Sequence, residues 1–62
     1  MLKIGDLVTM FDSYKEIDVY GTIIALELCD ENEVLYEIEW LDNDYSVEEA
    51  KDLRRIERVF SR

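Results

Sequence analysis

Histidine and proline are absent from this chain, and it has one cysteine, Cys29, and two glycines, Gly5 and Gly21. Without histidine it lacks the commonest neutral metal ligand and the usual acid–base group at neutral pH, so no ordinary zinc site can be built. One cysteine cannot close an internal disulfide, and a lone thiol fits a reducing compartment. No apolar run approaches the roughly 18 residues that a membrane span needs. The opening Met1-Leu2-Lys3-Ile4-Gly5-Asp6 lacks the apolar run and small-residue cleavage site of a signal peptide. A cytoplasmic protein with no membrane partner is expected. Cations are missing where they would matter most: residues 21–49 carry Glu27, Asp30, Glu31, Glu33, Glu37, Glu39, Asp42, Asp44, Glu48 and Glu49 and no Lys or Arg.

What the chain does have is an apolar supply of 48% of its 62 residues, enough to argue against disorder despite a net charge of −9. At this length one domain is expected, residues 1–62, with a thin core, because so small a fold hides only about 60% of its unfolded surface. The negative charge is concentrated. Residues 50–62 hold Lys51, Arg54, Arg55, Arg58 and Arg62 against Asp52 and Glu57, and are net positive. The acidic middle repels phosphate backbones, since nucleic-acid affinity comes largely from Lys and Arg that displace counterions. Direct nucleic-acid binding is therefore not expected.

Periodicity places strands. In Val34-Leu35-Tyr36-Glu37-Ile38-Glu39-Trp40-Leu41, the residues Val34, Tyr36, Ile38 and Trp40 share one face and Glu37 and Glu39 the other, the pattern of a half-buried antiparallel strand. Val19 to Leu28 is rich in β-branched and aromatic residues, with Gly21 a natural bend or bulge. Cys29-Asp30-Glu31-Asn32-Glu33 joins the two strands as a polar hairpin loop. Asp42-Asn43-Asp44 is a turn, so Tyr45-Ser46-Val47 should return beside the Trp40 strand. Lys3 to Phe11, with Ile4, Val8 and Met10 in one alternation, gives a further strand, and Phe11 to Asp18 reads as a polar loop.

The C-terminal segment admits two folds. Ser46 with Glu49 three positions on is a capping-box signature, and Leu53, Ile56 and Phe60 would share a face of a helix from Val47 to Phe60. The alternation of Arg55, Glu57 and Val59 with Ile56, Arg58 and Phe60 suits a strand instead. A helical turn near Glu48–Asp52 followed by a short last strand is preferred locally. The alternative is a β-meander plus a C-terminal helix.

The order Lys3-Ile4-Gly5-Asp6-Leu7-Val8, Tyr20-Gly21-Thr22-Ile23-Ile24, Tyr36-Glu37-Ile38-Glu39-Trp40-Leu41-Asp42 and Asp52-Leu53-Arg54-Arg55-Ile56 resembles the small SH3-like barrels. It is most similar to the short uncharacterised members carried by tailed bacteriophages, cyanophages among them. The resemblance covers about Lys3 to Val59, and its motifs are structural: a Gly-Asp lead-in to the first strand, a bend glycine and a Trp-Leu-Asp turn. It implies an all-β fold, a five-stranded barrel with a short helical turn before the last strand, and a phage protein acting in the host cytoplasm. The Ala-Leu-Tyr-Asp-Tyr segment, tandem tryptophans and late Pro-x-x-Tyr of peptide-binding SH3 domains are missing, so no proline-binding groove carries over.

Several chemistries compete for the polar residues. Cys29, without a histidine and beside an acidic loop, should have a raised pKa and be an inert thiol. Asp30, Glu31 and Glu33, or Asp42 and Asp44, offer oxygens to calcium but lack the Asp-x-Asp-x-Asp-Gly spacing of an EF-hand. Tyr14, Tyr20, Tyr36, Tyr45 and Trp40 could line a cage for a cation, although so small a core needs most of them. No nucleophile–base pair is evident, so neither enzymatic turnover nor a cofactor is expected. Glu37 and Glu39 project from one strand face about 6.5–7 Å apart.

With Asp42 and Asp44 they form the candidate partner-binding face of an acidic protein-interaction module, whose partner is a protein with a basic patch. A DNA-mimic inhibitor of a nucleic-acid-binding protein and a small structural component of a phage particle are the alternatives, and a homo-oligomer stays open. The expected core is Val8, Ile23, Ile38, Trp40, Leu53 and Ile56.

Overall fold

The computed structural model describes residues 2–30 and 33–57, the side chains of residues 28–30 excepted. Five strands and one short helix succeed one another in order: β1 (Leu7–Asp12), β2 (Ile17–Asp30), β3 (Glu33–Trp40), β4 (Tyr45–Glu49), a 3-10 turn (Ala50–Asp52) and β5 (Arg54–Arg55). All pairings are antiparallel, in one open sheet ordered β4-β3-β2-β1-β5. The fold is thus all-β with almost no helix.

The long β2 organises the sheet. Its first part pairs with β1, from Asp12 opposite Ile17 to Leu7 opposite Thr22, and its later part pairs with β3, from Gly21 opposite Trp40 to Asp30 opposite Glu33. Ile24 falls at a register shift between the Ile23–Ile38 and Ala25–Glu37 pairs. That bulge adds one residue to β2 and bends it.

Gly21, the expected site of the bend, serves closeness instead. It lies between Val8 and Trp40 in the ladder, and a Cβ there would stand 2.6 Å from the Glu39 carbonyl oxygen, 2.7 Å from Ile38 Cγ2 and 2.8 Å from Trp40 Cε3. Gly5, at φ +96°, does turn the chain. The Gly5 amide donates to the Ile23 carbonyl (2.8 Å) and the Ile23 amide to the Asp6 carbonyl (3.0 Å), so the Gly-Asp lead-in extends the β1–β2 ladder. The turn leaves Ile4 59% exposed, out of the alternation expected with Val8 and Met10.

The polar loop expected at Phe11–Asp18 shrinks to residues 13–16, because Phe11 pairs with Asp18 and Asp12 with Ile17. The Asp12 carboxylate holds this turn, accepting from the Tyr14 amide (2.9 Å) and the Lys15 amide (3.2 Å), and Glu16 takes a positive φ of 60°. Of the loop expected at Cys29–Glu33, Asp30 and Glu33 instead pair in the ladder, and residues 31–32 lie outside the described residues.

The helix alternative fails over residues 47–57; Val59 and Phe60 lie outside the described residues. Ser46 does not cap a helix: its hydroxyl accepts from the Trp40 indole Nε1 (2.8 Å) and donates to Glu48 (2.8 Å) within the sheet. Glu49 precedes the 3-10 turn with extended backbone and no side-chain cap. The preferred turn is present but shorter, at Ala50–Asp52 with Glu48 and Glu49 still in β4, and the short strand β5 follows it.

Val8, Ile23 and Ile38 are fully buried, and Tyr36, Trp40 and Leu53 nearly so, with Leu2, Met10, Val19 and Val34 packed against them. Of the expected core, Ile56 is only half-buried. It comes three residues after Leu53, a spacing that shares a face on a helix but opposes faces on extended chain. Thr9, the one buried polar residue among those described, donates its hydroxyl to the Val19 carbonyl at 2.9 Å.

Candidate functional site

Alternation along β3 sends Tyr36, Ile38 and Trp40 to the core and leaves Leu35, Glu37 and Glu39 on the outer face. Directly paired residues point to the same side of a sheet, so the register extends that face over three strands. Glu27, Leu35 and Glu49 form one cross-strand row, Ala25, Glu37 and Val47 the next, and Thr22, Glu39 and Tyr45 the third. Rows lie about 7 Å apart and neighbouring strands about 4.8 Å apart. The result is a lattice carrying Glu27, Glu37, Glu39 and Glu49. Among the described residues a single cation pairs with it, Lys51 to Glu49 at 3.3 Å, in an exposed and solvent-screened contact.

Glu39 also accepts from the Tyr45 hydroxyl at 3.2 Å. The Glu39 charge, and then this hydrogen bond, raise the Tyr45 pKa above the usual phenol value, because a phenolate there would face a carboxylate. Tyr45 is thus held as a neutral donor on the acidic face.

Asp42 and Asp44, expected to join Glu37 and Glu39, occupy the turn after β3. Asp42 accepts from the Lys15 ammonium at 2.9 Å and from the Asp44 amide at 3.1 Å. Its pKa is lowered, first by the Lys15 hydrogen bond and then by the Asp44 amide, and that of Lys15 is raised, first by the hydrogen bond and then by the charge of Asp42. Asp42 therefore ties the β3–β4 turn to the β1–β2 turn with its charge largely cancelled. Asp44 stays exposed and lines a cavity of about 280 Å³ with Met10, Val19, Trp40 and Glu48, residues of core-facing parity.

The other candidate chemistries meet these positions. Tyr14 stands 97% exposed on the β1–β2 turn, Tyr36 and Trp40 are in the core, and Tyr20 and Tyr45 lie on the outer face, so the five aromatics do not converge into a cage. Among the described residues no group of three or more His, Cys, Asp or Glu is placed to hold a metal. Of the acidic calcium candidates, Glu31 lies outside the described residues, as do the side chains of Asp30 and Cys29. The Ser46 hydroxyl near Glu48 satisfies the buried indole and is engaged on both its donor and acceptor sides.

No protein-family model matches this chain, and no curated protein or solved structure matches it. No helix among the described residues is long and apolar enough to cross a membrane.

Sequence pattern located Glu37 and Glu39 but missed Glu27 and Glu49, which only the cross-strand register brings beside them. It also missed a groove at the edge of that face. Lys15, Ile17, Asp18, Tyr20, Trp40 and Leu41 line about 300 Å³ there, with Leu41 81%, Ile17 52% and Tyr20 47% exposed.

Proposed function

We propose that this chain is a non-enzymatic protein-interaction module that docks its acidic sheet face on a basic patch of a protein partner. The observation that carries the proposal is the β2–β3–β4 lattice, where four carboxylates share one face with one screened cation among the described residues. Like charges gathered this way focus a negative field and steer oppositely charged partners. The fold we propose is an SH3-like barrel, supported by the strand order β4-β3-β2-β1-β5, the bent β2 shared by both halves of the sheet, and the 3-10 turn before β5. The resemblance to small phage proteins supports a role in the host cytoplasm, on a host or virion protein.

The test compares wild type with the double variant Glu37→Lys/Glu39→Lys. A partner captured from host lysate is identified and its association rate measured at low and raised salt. Association with wild type should slow as salt rises, and the double variant should associate more slowly while its dissociation rate changes little. Equal association rates for both proteins at both salts would reduce the acidic face to a solubility device.

A DNA mimic is the second reading, favoured by the roughly 7 Å repeat of Glu37 and Glu39 along one strand. It requires the partner to be a nucleic-acid-binding protein and duplex DNA to displace this chain from it. Failure of DNA to compete removes that reading and leaves the first.

A further inference from the structure

The groove of about 300 Å³ at the edge of the acidic face exposes apolar side chains beside the core. Its floor is Val19 and Trp40, and Ile17, Tyr20 and Leu41 stand open to solvent around it. It opens at the edge of the carboxylate face: Asp18, Tyr20 and Leu41 have that face's outward parity, while Ile17, Val19 and Trp40 have core-facing parity. Leu41 keeps the outward parity of Leu35, Glu37 and Glu39, and its amide donates to the Tyr20 carbonyl at 2.9 Å, extending the β2–β3 ladder beyond Trp40. One side of the rim carries Asp18, which has no ion-pair partner among the described residues. The other side carries the Lys15–Asp42 pair, whose charges cancel.

We propose that this groove takes one bulky apolar side chain of a basic partner segment whose Lys or Arg residues lie on the carboxylate lattice. The inference rests on the interaction-module reading and names the chemistry of the partner. Charge decides the occupant. A second copy brings its own −9, and although its exposed Arg54 has no ion-pair partner among the described residues, like charge opposes its approach. Phosphate-bearing partners are repelled by the carboxylates. A cationic peptide segment is attracted by Asp18, Glu39 and Glu37 in turn. Leu41, one residue past β3 and held to Tyr20 by its amide, continues the outward series of Glu37 and Glu39, which places the anchor about 7 Å from the site beside Glu39 and about 14 Å from that beside Glu37. An extended segment with an apolar residue at one position and cations two and four residues away matches that spacing. Interfaces draw most of their energy from such an apolar anchor in a pocket, ringed by polar contacts.

The test selects a displayed library of random peptides against wild type, then measures the chosen peptide on wild type, Leu41→Ser and Glu37→Lys/Glu39→Lys. Leu41 is 81% exposed, so its replacement should leave the fold intact, which circular dichroism checks. The selected consensus should pair Lys or Arg with one bulky apolar position. Leu41→Ser should bind that peptide about tenfold more weakly, the scale of one lost anchor contact. It should also cease to distinguish it from a version with the anchor changed to serine, whereas charge reversal should weaken both peptides. A basic consensus with no apolar position, or full affinity in Leu41→Ser, overturns the groove assignment and leaves the acidic-face reading standing. A consensus without basic residues overturns both.

Discussion

Replacing Gly21 by alanine sets two effects of opposite sign against each other. Glycine in a strand gives the unfolded chain extra freedom, so alanine at a permissive site stabilises by about 0.4–1 kcal/mol. Gly21 has no positive φ that would strain an L residue, so only space decides. Space is lacking: the new Cβ would fall 2.6 Å from the Glu39 carbonyl oxygen, which is backbone, and inside contact distance of Ile38 and Trp40. That backbone cannot yield alone, because β3 is laddered to β2 on one side and β4 on the other. Ile38 is itself fully buried, so it has nowhere to retreat. Forcing extra methyls into a packed core costs about 1–3 kcal/mol or more, which leaves a net loss of roughly 1–2 kcal/mol after the entropic gain. A domain of this size has only about 3–5 kcal/mol in all, and each kcal/mol moves Tm by about 4–8 °C. Thermal and urea unfolding monitored by circular dichroism should show Tm lower by about 10 °C. An unchanged or raised Tm would mean that β3 does not approach β2 as closely at this point as the described contacts require.

Other contacts set three further outcomes. Ile38→Ala should lose about 2–5 kcal/mol and leave much of the population unfolded at room temperature; urea unfolding checks this, and a midpoint near wild type would place Ile38 outside the core. The lowered Asp42 pKa means that its contribution is present above the unfolded carboxylate value of 3.8 and is lost as pH falls through the lower folded value, while the raised Lys15 pKa makes that contribution fade above 10.5. The stability difference between wild type and Asp42→Asn should therefore be level across neutral pH and shrink at both extremes, and a difference that persists at low pH would refute the tie. Glu39→Gln should lower the Tyr45 titration midpoint, read as phenolate absorbance against a Tyr45→Phe control, because the neighbouring charge is its main cause. An unmoved midpoint would place Glu39 away from that hydroxyl.

How far the sequence can be read depends on whether a feature is local. The β3 alternation is local, and it locates Ile38, Trp40 and the outward Glu37 and Glu39 without any partner strand. The Ser46–Glu49 capping pattern is local as well, yet it misleads: a hydroxyl that can cap a helix can equally satisfy an indole, and that of Trp40 reaches Ser46 diagonally from beside its cross-strand partner Ile38. The Leu53–Ile56 spacing is helical, and extended chain does not keep the two on one face. The pairing of Lys15 with Asp42, 27 positions apart, is visible in neither neighbourhood, so Asp42 reads as free charge in the sequence when it is a tie between turns.

The bulge at Ile24 decides what the acidic face contains. Strict alternation from Ile23 would put Ala25 and Glu27 on the core side with it and Leu26 on the outer face. One extra residue reverses that parity, since a single-residue slip moves every later side chain to the other face. Ala25 then meets Glu37 and Glu27 meets Leu35 on the outer side, while Leu26 shares the side of Tyr36 and stays 47% exposed at its margin. The inserted residue thus keeps Glu27 out of the core and adds it to the lattice. Core and acidic face are specified by the same irregularity, which lies just after the point where the Gly-Asp lead-in grips both backbone groups of Ile23. The first strand fixes where β2 stops pairing with β1, the bulge comes at once, and the charge pattern beyond it is set by that position.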